Sequence, residues 1–113
     1  MWKSIIKEKS FEFALDIIQL YKKLEKNKEY VISKQLLKSW TSIWANVNEW
    51  ISGESRSDFL HKMSIANKEA KETLYWLELL QESNLVELDY EKNIEKCTEI
   101  IKILTSIIKT TKN

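Results

Sequence analysis

Apolar residues recur along this chain at intervals of three and four, with polar and charged residues between them. That interval returns to one side of an α-helix, so the pattern predicts amphipathic helices. A first helix is expected over 10–25, with Ser10 as its N-cap. Its buried face would consist of Phe11, Ala14, Leu15, Ile18, Tyr21 and Leu24, with Ile17 at the edge. Lys26, Asn27 and Lys28 make a short polar link. A second helix is expected over 29–52, where Ser33, Leu36, Leu37, Trp40, Ile43, Trp44, Val47 and Ile51 share one side, flanked by Trp50. Lys34, Lys38, Ser42, Ala45 and Glu49 occupy the other. Gly53 then stands where a helix C-cap needs a left-handed residue.

Ser55-Arg56-Ser57-Asp58 has the spacing of a capping box ahead of the apolar Phe59-Leu60. A third helix follows over 56–83, with Phe59, Met63, Ala66, Ala70, Thr73, Leu77 and Leu80 alternating steps of four and three. Leu74, Tyr75 and Leu79 form a second stripe. Asn84 to Leu88 is the next link, and Asp89 is a candidate N-cap for a fourth helix over 89–110. There Tyr90, Ile94, Cys97, Ile101, Leu104 and Ile108 repeat the pattern, widened by Ile100, Ile103 and Ile107. Four amphipathic helices joined by short links predict one all-α domain, an up-down-up-down four-helix bundle over 1–113. The apolar width of the third and fourth helices exceeds what one bundle core needs, which predicts self-association.

Composition agrees with that architecture. One glycine and no proline in 113 residues leave little material for the turns of a β-rich fold. No apolar run is long enough to span a membrane, and the first seven residues carry no signal-peptide pattern. A single cysteine excludes an internal disulfide, so a cytoplasmic location is the expectation. Lys and Arg total 18 against 17 acidic residues, Arg56 being the one arginine. Interleaved signs of this kind describe a solvated helical surface. Nucleic-acid binding, if present, is expected to be weak.

The chemistry-bearing residues do not assemble into a familiar centre. A di-metal bundle needs Glu-x-x-His from two helices, and the one histidine, His61, stands in a lone Asp58-x-x-His61. No metal and no cofactor are expected. Cys97 falls in an apolar stripe, where a buried thiol is inert, so no enzyme is expected. The polar set Asn46, Glu49, Arg56, Lys62, Glu69 and Glu72 is retained as a candidate network fixing helix register or a subunit contact. Within it, Asn46 with Glu49 and Glu69 with Glu72 sit three apart on single helix faces. A ligand or nucleotide site is the alternative for that set.

Ser10-Phe11-Glu12-Phe13-Ala14-Leu15, Ser33-Lys34-Gln35-Leu36-Leu37-Lys38-Ser39, Thr41-Ser42-Ile43 and Ala45-Asn46-Val47 form one ordered series. It continues through Ser55-Arg56-Ser57-Asp58-Phe59, Lys62-Met63-Ser64-Ile65-Ala66, Lys68-Glu69-Ala70-Lys71-Glu72-Thr73 and Tyr75-Trp76-Leu77-Glu78-Leu79-Leu80. This series resembles the small bundle proteins encoded in intervening sequences of bacterial 23S ribosomal RNA genes. The resemblance implies a left-handed four-helix bundle that assembles as a ring, a homo-oligomer with five subunits as the expected count. It implies no settled biochemical activity; related bundles accompany retroelements and are thought to engage nucleic acid.

The same resemblance leads one to expect small residues at three positions that here hold Trp40, Trp44 and Trp50. Indoles at such positions push helices apart or line a contact. Two origins are open, engineered replacement of small residues and natural divergence. The cluster is expected to be largely buried at helix or subunit contacts, the alternative being the wall of an apolar small-molecule pocket. The functional expectation is therefore a self-assembling scaffold, with a nucleic-acid-binding accessory module as its rival.

Overall fold

Helical periodicity is realised along almost the whole chain. The computed structural model describes residues 2–51 and 55–112, with the side chains of 4–49 and 55–112. Among them are four helices: α1 (Trp2–Lys26), α2 (Val31–Ile51), α3 (Arg56–Ser83) and α4 (Glu91–Lys112). Consecutive helices pack side by side, and α4 closes onto α1. The molecule measures 44 × 20 × 20 Å. At 1.5 Å per residue the 28 residues of α3 account for nearly all of that length.

The connections explain how so few glycines suffice. At the end of α1 the Lys28 amide donates to the Glu25 carbonyl at 2.9 Å and the Glu29 amide to the Leu24 carbonyl at 2.9 Å. This is the Schellman pattern, and it needs a left-handed residue, supplied here by Lys28 at φ 64°. After α3 the same role falls to Asn84 at φ 55°, a residue type that tolerates it. Gly53 lies outside the described residues.

The helix starts have three different solutions. Ser55 caps α3 as its spacing predicts, its Oγ accepting from the Asp58 amide at 3.2 Å. Asp89 accepts from the Glu91 amide at 3.0 Å just ahead of α4. The start of α2 was not legible in advance. There the buried Glu29 carboxylate accepts from the amides of Val31 and Ile32 at 3.0 Å each and of Ser33 at 2.7 Å. The Ser33 hydroxyl returns a bond to the Glu29 carbonyl at 3.0 Å. Three amides that the helix itself cannot satisfy are thus paired with a negative charge at the positive end of the dipole.

Two expectations for α1 are corrected. The helix begins at Trp2 rather than near residue 10, so Ser10 is an interior residue and not an N-cap. It is fully buried, and its hydroxyl donates to the Lys7 carbonyl at 3.0 Å. The buried face is also different: Ile6, Phe13, Ile17, Leu20 and Leu24 point inward, while Phe11, Leu15 and Ile18 are 51%, 50% and 40% exposed. At 100° per residue the two stripes stand about 150° apart on the helix. Both have helical spacing, so periodicity alone could not choose between them.

On the other helices the stripes agree closely with their spacing. Phe59, Met63, Ala66, Ala70, Thr73, Leu77 and Leu80 are the buried residues of α3. On α2 Ser33, Leu36, Trp40, Ile43 and Val47 are buried, with Leu37 and Trp44 half-buried. Tyr90, Cys97, Ile100, Leu104 and Ile107 are buried at and along α4. The wide apolar surface of α4 is absorbed within the chain, because Ile94, Ile101, Ile103 and Ile108 pack against the core. The long exposed apolar stripe belongs to α1 instead. No helix among the described residues is long and apolar enough to cross a membrane.

Candidate interaction surface and polar residues

Trp40 and Trp44 are four residues apart on α2 and meet α1 at successive turns. Trp40 is buried, with its ring edge-on to Phe13 at a centroid distance of 4.6 Å and an interplanar angle of 89°. The small buried residues Ala66, Ala70 and Thr73 on α3 leave volume for an indole in the shared interior. Its Nε1–H has no hydrogen-bond partner, the signature of a ring accepted for its volume rather than its polar edge. Trp44 is half-buried and rests on the exposed Phe11 at 5.7 Å. The side chain of Trp50 lies outside the described residues.

Around Trp44 the surface is apolar and concave. One hollow of about 450 Å³ is lined by Ser4, Lys7, Glu8, Phe11 and Trp44. A second, about 490 Å³, runs along the outer side of α2 and is lined by Lys34, Leu37, Lys38, Thr41, Ser42 and Ala45. Both are open to solvent. Leu15 and Ile18 are also exposed on α1, and lysines stand at the edge of both hollows, with Glu8 at the first.

The six polar candidates divide among different contacts. Glu49 and Lys62 meet across α2 and α3 at 3.5 Å. Asn46 donates to the Ser42 carbonyl at 2.8 Å within its own helix. Arg56 reaches to α4, where it donates to the Thr111 carbonyl. Glu69 and Glu72 are half-buried on α3, and the Glu69 carbonyl accepts from the Thr73 hydroxyl at 2.9 Å. The set therefore links α3 to both of its neighbours, with its contacts spread along the bundle. Sequence reasoning missed the pairs that join α1 to α4, Lys9–Glu99 at 2.8 Å and Lys96–Asp16 at 2.6 Å. Partner choice across helices has no local sequence signal. The groove between those helices holds Lys23 and Lys92 with Asp89 near the Lys96–Asp16 pair, a mixture of signs with a small positive excess.

The nucleophile candidates are kept apart and quiet. Cys97 is fully buried and its Sγ donates to the Ala70 carbonyl at 3.3 Å. Burial, with a smaller contribution from the charge of Glu78, pushes its thiol up to about 12. His61 is exposed near the start of α3, nine residues before Ala70 and so about 13 Å away along the helix. Among the described residues no group of three His, Cys, Asp or Glu side chains is arranged to hold a metal ion.

An all-α protein of four helices, with a closed apolar interior and an exposed apolar stripe on α1, is what these features define. The chain belongs to the 23S rRNA-intervening sequence protein family, whose profile matches residues 3–106. It is similar to the crystal structure of a protein of unknown function from the S23 ribosomal protein family of Bacteroides thetaiotaomicron VPI-5482. Identity there is 50%, over 96% of this chain and 99% of that one, with a TM-score of 0.89. No functionally curated protein matches the chain.

Proposed function

We propose that this protein is a non-enzymatic, self-assembling scaffold, cytoplasmic, in which left-handed up-down-up-down bundles close into a homo-oligomeric ring, with five subunits as the expected count. The observation that carries the proposal is the stripe of Phe11, Leu15 and Ile18 on α1, half exposed beside Trp44, while the wide apolar surface of α4 is absorbed within the chain. Large apolar surface collected on one side of a small protein marks a contact with another protein. Antiparallel neighbours are supported by the order of the ion pairs: Lys9 pairs with Glu99 and the later Asp16 with the earlier Lys96. In this reading Trp40 holds α2 to α1, and Trp44 extends the contact surface. Light scattering on the purified protein tests it. A mass several times 13.5 kDa at micromolar concentration is expected; a stable monomer overturns the scaffold.

The rival reading, a nucleic-acid-binding accessory module, draws on the family's connection with 23S rRNA. Against it stands the pairing of Lys9, Lys62 and Lys96 with carboxylates, which spends positive charge inside the protein. The Trp-lined pocket finds its nearest support in the hollow beside Trp44 and Phe11. That hollow is shallow and open, the shape of a protein contact rather than an enclosing ligand site.

A further inference from the structure

A ring is built from one repeated contact between two different surfaces of the same chain, and both surfaces must lie at one height along the ring axis. We propose that the two surfaces are the α1–α2 side around Ile18, Leu37 and the lysine-edged hollow on α2, and the outer ridge of α3 around Tyr75 and Leu79, acidic toward its C-terminal end. This deepens the assembly reading above and rests on it.

Three observations lead there. First, Tyr75 and Leu79 are the large apolar residues left outside on α3, at 59% and 38% exposure, one turn apart on the same ridge. Exposed Glu78 and Glu82 flank them on the C-terminal side, and exposed Lys71 stands one turn before Tyr75. Second, the hollow on α2 has the converse character. Leu37, Thr41 and Ala45 give it an apolar floor, and Lys34 and Lys38 stand at its edge. A tyrosine ring can lie against this open surface, and its neighbouring carboxylates then meet lysines. Third, the two surfaces are level. The Phe11–Trp44 contact sets the register of α1 against α2, which puts Ile18 opposite Leu37. The Glu49–Lys62 pair sets α2 against α3, which puts Leu37 level with Leu74, next to Tyr75. A bundle that turns about an axis parallel to its own length can therefore seat the α3 ridge of one copy against the α1–α2 side of the next. Surfaces at different heights would generate an open filament instead.

The test uses charge reversal on exposed residues, with helicity followed by circular dichroism and mass by sedimentation velocity at several salt concentrations. Lys34→Glu with Lys38→Glu should shift the assembly toward 13.5 kDa, and so should Glu78→Lys with Glu82→Lys. Combining all four should restore the wild-type mass. A second measurement is independent of charge: a chain carrying both Thr41→Cys and Tyr75→Cys should oxidise to a ladder of linked subunits, whereas either cysteine alone should not. If the wild type is oligomeric but the reversals leave its mass unchanged, fail to rescue one another, or the ladder is absent, this contact is wrong and the assembly stands. If the wild type itself is monomeric, both fall.

Discussion

Glu29 does more for this fold than its composition class suggests, because one carboxylate accepts three amide hydrogens at the start of α2. A hydrogen bond to a charged acceptor is worth about 1.5–3 kcal/mol, and two of the three donors here are buried. Glu29→Ala should therefore lower the melting temperature by several degrees, whereas Glu25→Ala, which loses one bond from the Tyr21 hydroxyl, should have a much smaller effect. Thermal unfolding by circular dichroism checks the difference. Trp40 makes the opposite kind of contribution. Its ring packs on Phe13, but its buried N–H is unpartnered, so Trp40→Phe removes the orphan donor along with some volume. A change within about 1 kcal/mol is expected, against about 3–5 kcal/mol for Trp40→Ala, which leaves a cavity. Replacing both Trp40 and Trp44 by Gly should cost more still, since Gly adds about 1 kcal/mol per helix position. Denaturant titration gives all three values. Cys97 supplies a pH signature. Its thiol titrates at about 12 in the folded chain against an ordinary 9.0, so the folded state binds a proton that the unfolded chain gives up. Its contribution to stability is complete below about pH 9 and declines as pH rises toward 12. Alkylation at pH 8.5 should be slow in native buffer and fast in denaturant.

At the scale of the element, the two links that hold no glycine locate a stabilising substitution. Lys28 adopts φ 64° to complete the closing turn of α1, a conformation that is unfavourable for a residue with a β-carbon. Lys28→Gly should raise stability by up to about 1 kcal/mol, the relief of strain exceeding the added freedom of the unfolded chain. Asn84→Gly should gain less, because Asn already tolerates φ 55°. Comparing the two melting temperatures tests the explanation. The elements also differ in how readable they were. The stripe of α3 could be written down in full from its spacing, because its outer face is mainly polar. In α1 two apolar stripes compete, Ile6-Phe13-Ile17-Leu24 and Phe11-Leu15-Ile18, and only packing against α2 and α4 selects the first. The N-cap at Ser55 could be read from a local pattern, whereas that of Glu29 could not, because a glutamate reaching its own downstream amides has no common motif.

At the scale of the whole molecule, charge is balanced and large apolar residues stand exposed on α1 and α3, and the two facts predict different salt responses. Phosphate attraction weakens steeply with salt, whereas apolar contact between subunits does not. Binding to single- or double-stranded nucleic acid should thus be weak at low salt and vanish by a few hundred millimolar, while the oligomer should persist. Mobility shift and sedimentation over one salt series check both, and tight selective binding at high salt would favour the accessory-module reading. The residue pattern alone determined that the chain is helical and which side chains of α2 and α3 turn inward, because these properties follow from spacing within a few turns. On α4 it found the apolar face but centred it a little away from the buried Ile100 and Ile107. It also carried the family, through an ordered series of short segments. Tertiary structure decided which stripe of α1 is core, that Trp40 rests on Phe13, that Arg56 serves α4, and that Phe11, Leu15 and Ile18 stay exposed on α1. Each of these depends on which helix lies beside which, a relation between residues far apart in the chain that no local period encodes.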